Sequence, residues 1–445
     1  MNQFTVSLWG DEAFSAVLSM KSIPEIIKII TRDTSPPLYN ITEHIWFQIF
    51  GTSEVAIRSL SSLYFLVAVF FVYKIGAFLW DKKTGILAAL LTFLNPFFFA
   101  YAFEGRMYSI LAAGVCASMY FFIKIIFAKE SKPNIKDLIG YVLGTSWMLY
   151  SHHFSIFALF VQGPWFLKEF MFGKRNVAIS IFKSIVAIVI LYSPWVIPLY
   201  KQTRMVGGGF WLGTPNLKDL GDLFLKKYLN VSLVALAFRR WTKDREKSFF
   251  LISWFFVPIL ITWLVSQKFQ SIFFDRYLLY TIPGAMILAA SQGKRLASTV
   301  VLVIVIASFL SADIYYFTHP IKRPFRDLAN YVKETKKEED YLINWNAGAH
   351  HLWESKYYKI PAPLYIPGEG KLPFFVGTAL MGQGDVINDL PDVLPQTDKK
   401  VGRIGVITSG NVDDVNLVGY TKHEVKVFGP TSSLGSDIKF IWYKR

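Results

Sequence analysis

The stretch AIRSLSSLYFLVAVFFVYKIGAFLW, residues 56–80, decides the fold class of this chain. It is almost continuously apolar, and it exceeds the roughly 20 helical residues that cross a hydrocarbon core of about 30 Å. Comparable runs recur up to Phe317, and we therefore predict an α-helical multi-pass membrane protein. The further predicted spans are 85–102, 107–128, 138–150, 154–170, 177–199, 249–266, 277–290 and 298–317.

The composition agrees with this interpretation. Of the 445 residues, 53% are hydrophobic, 17% are aromatic and 18% are charged, and the mean hydropathy is +0.36. This apolar share exceeds that of an average soluble domain. A net charge of +15 is compatible with nucleic-acid binding, but the charges are not placed for it. Much of the basic excess lies in short loops between apolar runs: Lys82, Lys83, Lys129, Lys132, Lys136, Lys168, Lys174, Arg175, Arg239, Arg240, Lys243, Arg245, Lys247, Lys294 and Arg295.

These basic loops alternate with loops that contain fewer Lys and Arg residues, around Glu104, His152, Gly208 and Ser271. The alternation follows the positive-inside rule and therefore orients the spans. A crossing is needed between the loop near Gly208 and the basic loop near Arg239. We count the less apolar segment 220–238 as that crossing, which brings the expected number of spans to about ten.

The topology divides the chain into three regions. Residues 1–55 are predicted to be an extracytoplasmic loop, residues 56–317 the transmembrane domain, and residues 318–445 an extracytoplasmic domain. Within the first region, the apolar spacing over 14–30, interrupted at Pro24, predicts a helix that lies along the membrane interface. The two prolines of segment 33–39 predict a rigid loop.

After Phe317 the sequence becomes polar enough for a small soluble α/β domain. An amphipathic pattern predicts a helix over 326–336. Short apolar runs between Gly, Pro, Asn and Asp turns predict strands over 341–345, 364–366, 401–408, 424–428 and 438–443.

An acid pair, Asp11 and Glu12, stands in the opening segment SLWGDEAFS, residues 7–15. A carboxylate near hydrocarbon has a large desolvation cost, so it usually serves a substrate, an ion or a proton. A solvated terminal tail is the alternative. The topology places the pair on one face with other polar residues: Asp33, Glu104, Arg106, Tyr108, His152, His153, Asp275 and Arg276.

This set is chemically coherent. A carboxylate can accept the proton of a hydroxyl nucleophile, and guanidinium groups can hold a phosphate leaving group with their forked donors. Ordinary roles remain open as alternatives: Glu104 and Arg106 can pair with neighbouring loops, and Asp275 can anchor the start of a helix. We interpret His152 and His153 as interfacial aromatic residues.

Metal binding is only weakly indicated. The single cysteine, Cys116, lies in an apolar run, which excludes a disulfide framework and a cysteine metal cluster. A divalent cation held by Asp11 and Glu104 stays open, although no sequence spacing demands it.

Several motifs follow one another in a distinctive order. They are Leu8-Trp9-Gly10-Asp11-Glu12, Asp33-Thr34-Ser35-Pro36-Pro37-Leu38-Tyr39, Trp46 with Phe50-Gly51, Glu54 with Arg58-Ser59, Glu104-Gly105-Arg106-Met107-Tyr108, and Arg276-Tyr277. The order and spacing resemble the bacterial and archaeal GT-C glycosyltransferases. The nearest resemblance is to the dolichyl-phosphate-mannose protein mannosyltransferases (glycosyltransferase family 39) and to the lipid A aminoarabinose transferase.

The resemblance implies an enzyme that transfers a sugar with inversion from a polyprenyl-phosphate donor to an acceptor hydroxyl of a protein, lipid or glycan. The reaction is expected on the outer side of the cytoplasmic membrane. Asp11 would be the general base, and Glu12 would orient the base or the acceptor. The resemblance assigns substrate or phosphate binding to Asp33, Glu104, Arg106, Tyr108 and Arg276.

One feature departs from the family pattern. Family members have a transmembrane helix immediately before the Trp-x-Asp-Glu segment, whereas eight residues precede Trp9 here. We therefore expect the first family helix to be missing. Either the sequence is an N-terminally truncated reading of its gene, which is the interpretation we favour, or its outer loop is delivered across the membrane without a leading helix.

The sequence is compatible with two other classes of function. A transporter or flippase of lipid-linked sugars would also place charges in a membrane cavity. The acids, however, cluster at one face instead of the midplane, and no internal repeat is evident. A non-catalytic membrane protein whose soluble domain recruits a partner is the third hypothesis.

Overall fold

The computed structural model describes residues 1–128, 132–229, 244–291, 296–345, 349–368, 372–389, 402–430, 432 and 435–444. The chain divides into two compact units. The terminal unit comprises Met1–Asp33, Asn40–Ile57 and Tyr315–Arg445, and the helical unit comprises Thr34–Tyr39 and Arg58–Ile314. Residues 1–55 and 318–445, which the sequence analysis treats as separate regions, thus contribute to one compact unit.

Helices dominate the described residues. In chain order they are α1 (Gly10–Ser19), α2 (Ile23–Ile30), α3 (Leu38–Phe50), α4 (Glu54–Leu79), α5 (Lys82–Phe93), α6 (Pro96–Ala100), α7 (Tyr108–Phe127), α8 (Ile135–Ser151), α9 (Ile156–Phe172), α10 (Arg175–Tyr192), α11 (Val196–Gly207), α12 (Leu217–Asp222), α13 (Arg245–Lys268), α14 (Ile282–Ala290), α15 (Leu296–Thr318), α16 (Phe325–Thr335) and α17 (His350–Tyr357).

Six strands follow α15 in the described residues. They are β1 (Tyr341–Trp345), β2 (Leu364–Tyr365), β3 (Val386–Ile387), β4 (Ile404–Thr408), β5 (Thr421–Phe428) and β6 (Ile438–Lys444).

Membrane-capable helices are present, as the hydropathy predicts. Within the described residues, five helical segments are long and apolar enough to cross a membrane: Glu54–Leu79, Tyr108–Phe127, Arg175–Gly207, Arg245–Lys268 and Thr299–Thr318. The third of these segments comprises α10, a 3₁₀ turn and α11. The bent pair Lys82–Phe93 and Pro96–Phe103 makes a sixth if it is one span. The expected number of about ten membrane spans stays a prediction. Helices α8 and α9, for example, coincide with two predicted spans, but each has 17 residues, fewer than the roughly 20 that cross a membrane. Residues 230–238 of segment 220–238 lie outside the described residues, and residues 220–228 form the end of α12 and a π-helical turn, Leu223–Tyr228.

The predicted span 85–102 is broken rather than straight. Its two halves, α5 and α6, meet at an angle of 61°. The break follows from Asn95-Pro96: the proline has no N–H to continue α5, and the Asn95 side chain accepts a 3.0 Å hydrogen bond from the Phe98 N–H, which caps α6. The chain then reaches the turn at Glu104.

Helices α7 and α8 pack closely against each other, and this packing positions Tyr108 and His152. A Cβ on Gly114 would lie 2.9 Å from the Met148 backbone, and a Cβ on Gly144 would lie 2.9 Å from the Ser118 nitrogen. Small residues at both positions let the two helices approach closely, as is common in membranes. Because α7 begins at Tyr108 and α8 ends at Ser151, this packing brings Tyr108 near His152.

The six strands form one mixed sheet in the order β3-β2-β1-β4-β6-β5. Strands β1 to β4 pair in parallel, and β6 runs antiparallel to both β4 and β5. One face packs against α16 through Phe325, Leu328 and Val332. The sheet confirms the predicted α/β character, whereas the two-residue strand β3 and the helix α17 were not predicted.

The first two helices replace the predicted interfacial helix over 14–30. Residues 20–22 separate α1 from α2. Pro24 lies in the first turn of α2, where a backbone N–H would have no intrahelical acceptor, so the proline costs no hydrogen bond. Helix α1 packs against α17, with the Phe14 and Trp353 ring centroids 5.3 Å apart. Helix α3 was not predicted.

Candidate active site

The acid pair lies in the first turn of α1. The Trp9 N–H donates to the Glu12 carboxylate at 3.4 Å, which is one half of a capping box, since the Trp9 side chain has no acceptor for the other half. Two acidic residues in a first turn are also favoured by the helix dipole. The sequence therefore starts this helix at Gly10 and fixes where both carboxylates stand.

The two acids have different surroundings. The Glu12 side chain is fully buried, and its Oε2 lies 2.9 Å from the Nζ of Lys322, which is itself only 9% exposed. A buried carboxylate needs such a partner because an uncompensated charge is costly in the interior. Glu12 is therefore held in place by an ion pair within the terminal unit.

Asp11 is the accessible member of the pair. Its side chain is 25% exposed, and its Oδ1 lies 3.8 Å from the Nδ1 of His350 at the start of α17. The His350 ring also stacks on Trp9, with centroids 6.0 Å apart. A Cβ on Gly10 would lie 2.3 Å from His350 Nδ1 and 2.6 Å from its Cα, so only glycine permits this approach of α1 to α17.

The segment before α1 is anchored by the C-terminal part of the chain. The Leu8 N–H donates to the Tyr358 hydroxyl at 2.8 Å, and that hydroxyl is 3.0 Å from Glu54 Oε1. The backbone N–H of Arg326 donates to Ser7 Oγ at 3.1 Å, and its Nη1 lies 3.1 Å from Glu54. The Asp-Glu segment is thus held by contacts within its own unit.

A second cluster, basic and aromatic, lies in the helical unit. The guanidinium of Arg276 lies 5.5 Å from the Tyr108 ring centroid and 4.8 Å from that of Phe274. Tyr277 completes the cluster with His152, whose ring centroid is 5.0 Å away. Stacking on aromatic faces holds a guanidinium in place, and the forked donors of a guanidinium match the oxygens of a phosphate.

The charges of this cluster act on His152. Burial, reinforced by the electrostatic influence of His153, Arg106 and Arg276, holds the pKa of His152 well below its usual value. Burial also lowers the pKa of His153 to about 4, although its hydrogen bond to Gln202 opposes the shift. Both imidazoles are therefore neutral near pH 7, and the positive charge of the cluster resides on the arginines.

The remaining predicted residues occupy turns and loops. The Arg106 N–H donates to the Glu104 carbonyl at 2.7 Å, which forms a tight turn before α7. Asp33 is buried and follows α2. Asp275 anchors a helical turn, since its Oδ1 accepts from the Arg276 N–H at 2.6 Å and its carboxylate pairs with Lys227.

The predicted site residues therefore fall into both units. Asp11, Glu12 and Asp33 belong to the terminal unit, whereas Glu104, Arg106, Tyr108 and Arg276 belong to the helical unit. Within each unit the structure brings several of them together. Among the described residues, no group of three or more His, Cys, Asp and Glu side chains is arranged to hold a metal ion.

Sequence reasoning missed the two partners of the acid pair, Lys322 and His350. Both are more than 300 positions from Asp11 in the chain, and no motif links them to the opening segment. The basic pair Lys322-Arg323, which begins five residues after the end of the last predicted span, was the local signal of a cation in this segment.

Part of the chain matches a known protein family. Residues 34–198 match the family model described as dolichyl-phosphate-mannose-protein mannosyltransferase. No curated protein matches the chain. The matched region runs from the segment before α3 into α11 and includes the Glu104–Tyr108 motif.

Solved structures show the same architecture. ArnT from Cupriavidus metallidurans, a lipid A aminoarabinose transferase, superposes in its apo state with a TM-score of 0.71 at 11% identity, over 98% of this chain and 94% of ArnT. The chain has a GT-C glycosyltransferase fold. ArnT bound to undecaprenyl phosphate gives a TM-score of 0.64 at 12% identity, with the same coverage of 98% and 94%.

A third GT-C structure is also similar. The oligosaccharyltransferase of Archaeoglobus fulgidus in its apo form gives a TM-score of 0.52 at 12% identity, over 81% of this chain and 61% of that protein. The comparisons with ArnT and with the oligosaccharyltransferase thus show that the chain has the GT-C fold.

Proposed function

We propose that this protein transfers a sugar, with inversion, from a polyprenyl-phosphate donor to an acceptor hydroxyl at the outer side of the cytoplasmic membrane. The acceptor is a hydroxyl of a protein, lipid or glycan. The donor class is supported by the ArnT structure with undecaprenyl phosphate, which shares the fold. The proposed side of the membrane is supported by the distribution of Lys and Arg among the loops.

The observation that carries the proposal is the difference in exposure and partners between the two acids. Glu12 is buried and paired with Lys322, whereas Asp11 is partly exposed beside His350. A general base must reach the hydroxyl proton of the acceptor, and this requirement favours Asp11. Glu12 then orients the first turn of α1 and, with it, the Asp11 carboxylate.

In the proposed reaction Asp11 accepts the acceptor proton as the oxygen attacks the anomeric carbon. The bond from that carbon to the lipid phosphate oxygen breaks through an oxocarbenium-like state, by analogy with glycoside hydrolysis. A phosphate leaving group needs little protonation, so stabilisation of its developing charge is the main requirement.

The arginines of the helical unit supply that stabilisation in the proposal. Arg106 and Arg276 bind the lipid phosphate, and the Tyr108 ring under Arg276 fixes the guanidinium. Because His152 and His153 are neutral, the arginines carry the positive charge that the proposal assigns to phosphate binding. Glu104 and Asp33 are proposed to contact the sugar or the acceptor.

The test is transfer by the reconstituted full chain from a polyprenyl-phosphate sugar. We expect D11N to lower the transfer rate by about 1,000-fold, since a positioned general base contributes roughly 10²–10⁴-fold. The matched control is D327N, which removes an exposed acid from the first turn of another helix, α16, in the same unit. It should transfer at the wild-type rate.

Two outcomes would overturn the proposal. Unaltered transfer by D11N would remove Asp11 from the role of base. Translocation of the lipid-linked sugar without any transfer by the wild type, abolished in D11N, would establish a flippase instead.

A further inference from the structure

A chain of three hydrogen-bonded side chains lies in the C-terminal part of the terminal unit. His351 and Glu354 lie one turn apart on α17, and Ser409 directly follows β4. His351 Nδ1 is 2.6 Å from Glu354 Oε2, and His351 Nε2 is 3.1 Å from Ser409 Oγ. The glycosyl transfer proposed above uses none of these three residues.

The partners fix where the protons lie. An ionised carboxylate only accepts hydrogen bonds, so Nδ1 of His351 carries the hydrogen that is donated to Glu354. In the neutral ring Nε2 is then an acceptor, and the Ser409 hydroxyl donates to it. This is the arrangement in which a serine hydroxyl is activated by a base that a third group orients.

The three side chains differ in burial, as an activated serine requires: the base and its acid are buried, and the hydroxyl is accessible. The side chains of His351 and Glu354 are 1% and 3% exposed, and the Phe325 ring packs 5.8 Å from the His351 ring. Ser409, in contrast, is partly exposed. The base and its orienting acid are therefore shielded from water, while the hydroxyl is reachable.

The sheet topology places these residues where α/β domains bind ligands. The chain proceeds from β1 to β2 and β3 on one side, and β4 pairs on the other side of β1. The strand order thus reverses between β1 and β4. Ligands of open α/β sheets bind outside the carboxyl ends of the strands at such a point. Ser409 follows the carboxyl end of β4, and α17 follows that of β1.

We propose that Ser409, His351 and Glu354 form a second catalytic site, which hydrolyses carboxylic esters. Ser409 Oγ attacks the ester carbonyl carbon while its proton passes to His351 Nε2. The alcohol leaves with that proton, and an acyl ester remains on Ser409. Water then attacks this acyl group through the same base, which releases the carboxylic acid and restores the serine.

The test uses the full chain in detergent, a fluorophosphonate probe directed at activated serines, and p-nitrophenyl butyrate. We expect stoichiometric labelling at Ser409, loss of labelling in S409A, and a decrease in ester hydrolysis of about 100-fold in H351Q. E354Q should slow both reactions and shift the pH profile of labelling. The matched control is S436A, which removes an exposed serine of the same unit and should label as the wild type does.

The variants separate this site from glycosyl transfer. D11N should keep full labelling at Ser409, and S409A should keep sugar transfer. Wild-type labelling no faster than that of S409A, with S409A unfolding at the wild-type temperature, would overturn the proposal and leave the three residues a structural network.

Discussion

At the scale of single residues, Arg276 combines a fixed position with donors suited to phosphate. Its guanidinium lies against the rings of Tyr108 and Phe274. Lysine cannot reproduce either the planar stacking or the fork of donors. We predict that R276K lowers transfer about 100-fold, the usual effect of removing one donor to a developing oxyanion.

The control for R276K is R204K. Arg204 lies over the Tyr200 ring at 5.9 Å in the same unit, but on an exposed part of α11. Initial rates at saturating donor are the measurement. Equal losses in the two variants would show that Arg276 has no special part in the reaction.

The buried His152 gives a residue-scale prediction about pH. Because the pKa of His152 is lowered in the folded protein, the unfolded chain binds a proton more readily as the pH falls below about 6.5. The contribution of His152 to stability is therefore complete above that pH and declines as the pH falls towards its folded pKa. We expect H152F to flatten the decline in unfolding temperature between pH 7 and pH 5, whereas H423F, at an exposed position on β5, should leave the slope as in the wild type.

At the scale of elements, the contact of α1 with α17 depends on one glycine. A Cβ at Gly10 would lie 2.6 Å from the Cα of His350, so the two helices must separate in G10A. We predict a loss of about 1–3 kcal/mol in unfolding free energy, typical of overpacking, together with reduced transfer because Asp11 moves.

Gly221 provides the comparison for G10A. A Cβ there meets no atom within 4 Å, and the residue lies inside helix α12. G221A should be neutral or slightly stabilising, since alanine favours a helix over glycine. The unfolding temperatures of both variants are the measurement. Equal stability of G10A and wild type would contradict the close approach of α1 to α17.

The elements that sequence patterns predicted well are those with a local cause. The span at 56–80 and the strand at 341–345 are encoded by their own apolar residues, and the structure places helix and strand there. Helix α17 was missed because HHLWESKY has no clear apolar face, and its partners, α1 and Ser409, are distant in the chain. The ion pair of Glu12 with Lys322 was missed for the same reason, because no local pattern reports a tertiary partner.

At the scale of the whole molecule, the terminal unit joins the two ends of the chain. Ala13, one turn after Gly10 on α1, is fully buried in this unit. We predict that A13C is unreactive towards a maleimide in the full chain and becomes reactive when residues 320–445 are removed. Cys116, buried in α7 of the helical unit, is the internal control and should stay unlabelled in both forms.

Protection of A13C in the shortened chain would mean that the first residues fold without the last. The labelling is read by intact mass, which distinguishes one modified cysteine from two. The two sites thus report the terminal unit and the helical unit separately.

The hydrogen bond from Leu8 to Tyr358 has a consequence for biogenesis, because its partners are 350 positions apart in the chain. At roughly 5–20 residues per second, the ribosome makes Tyr358 on the order of 20 to 70 seconds after Leu8. For most of that interval the acid pair already exists, whereas Lys322, His350 and Tyr358 do not. The nascent protein therefore acquires its ordered acid pair only near the end of synthesis, after its membrane helices have been made.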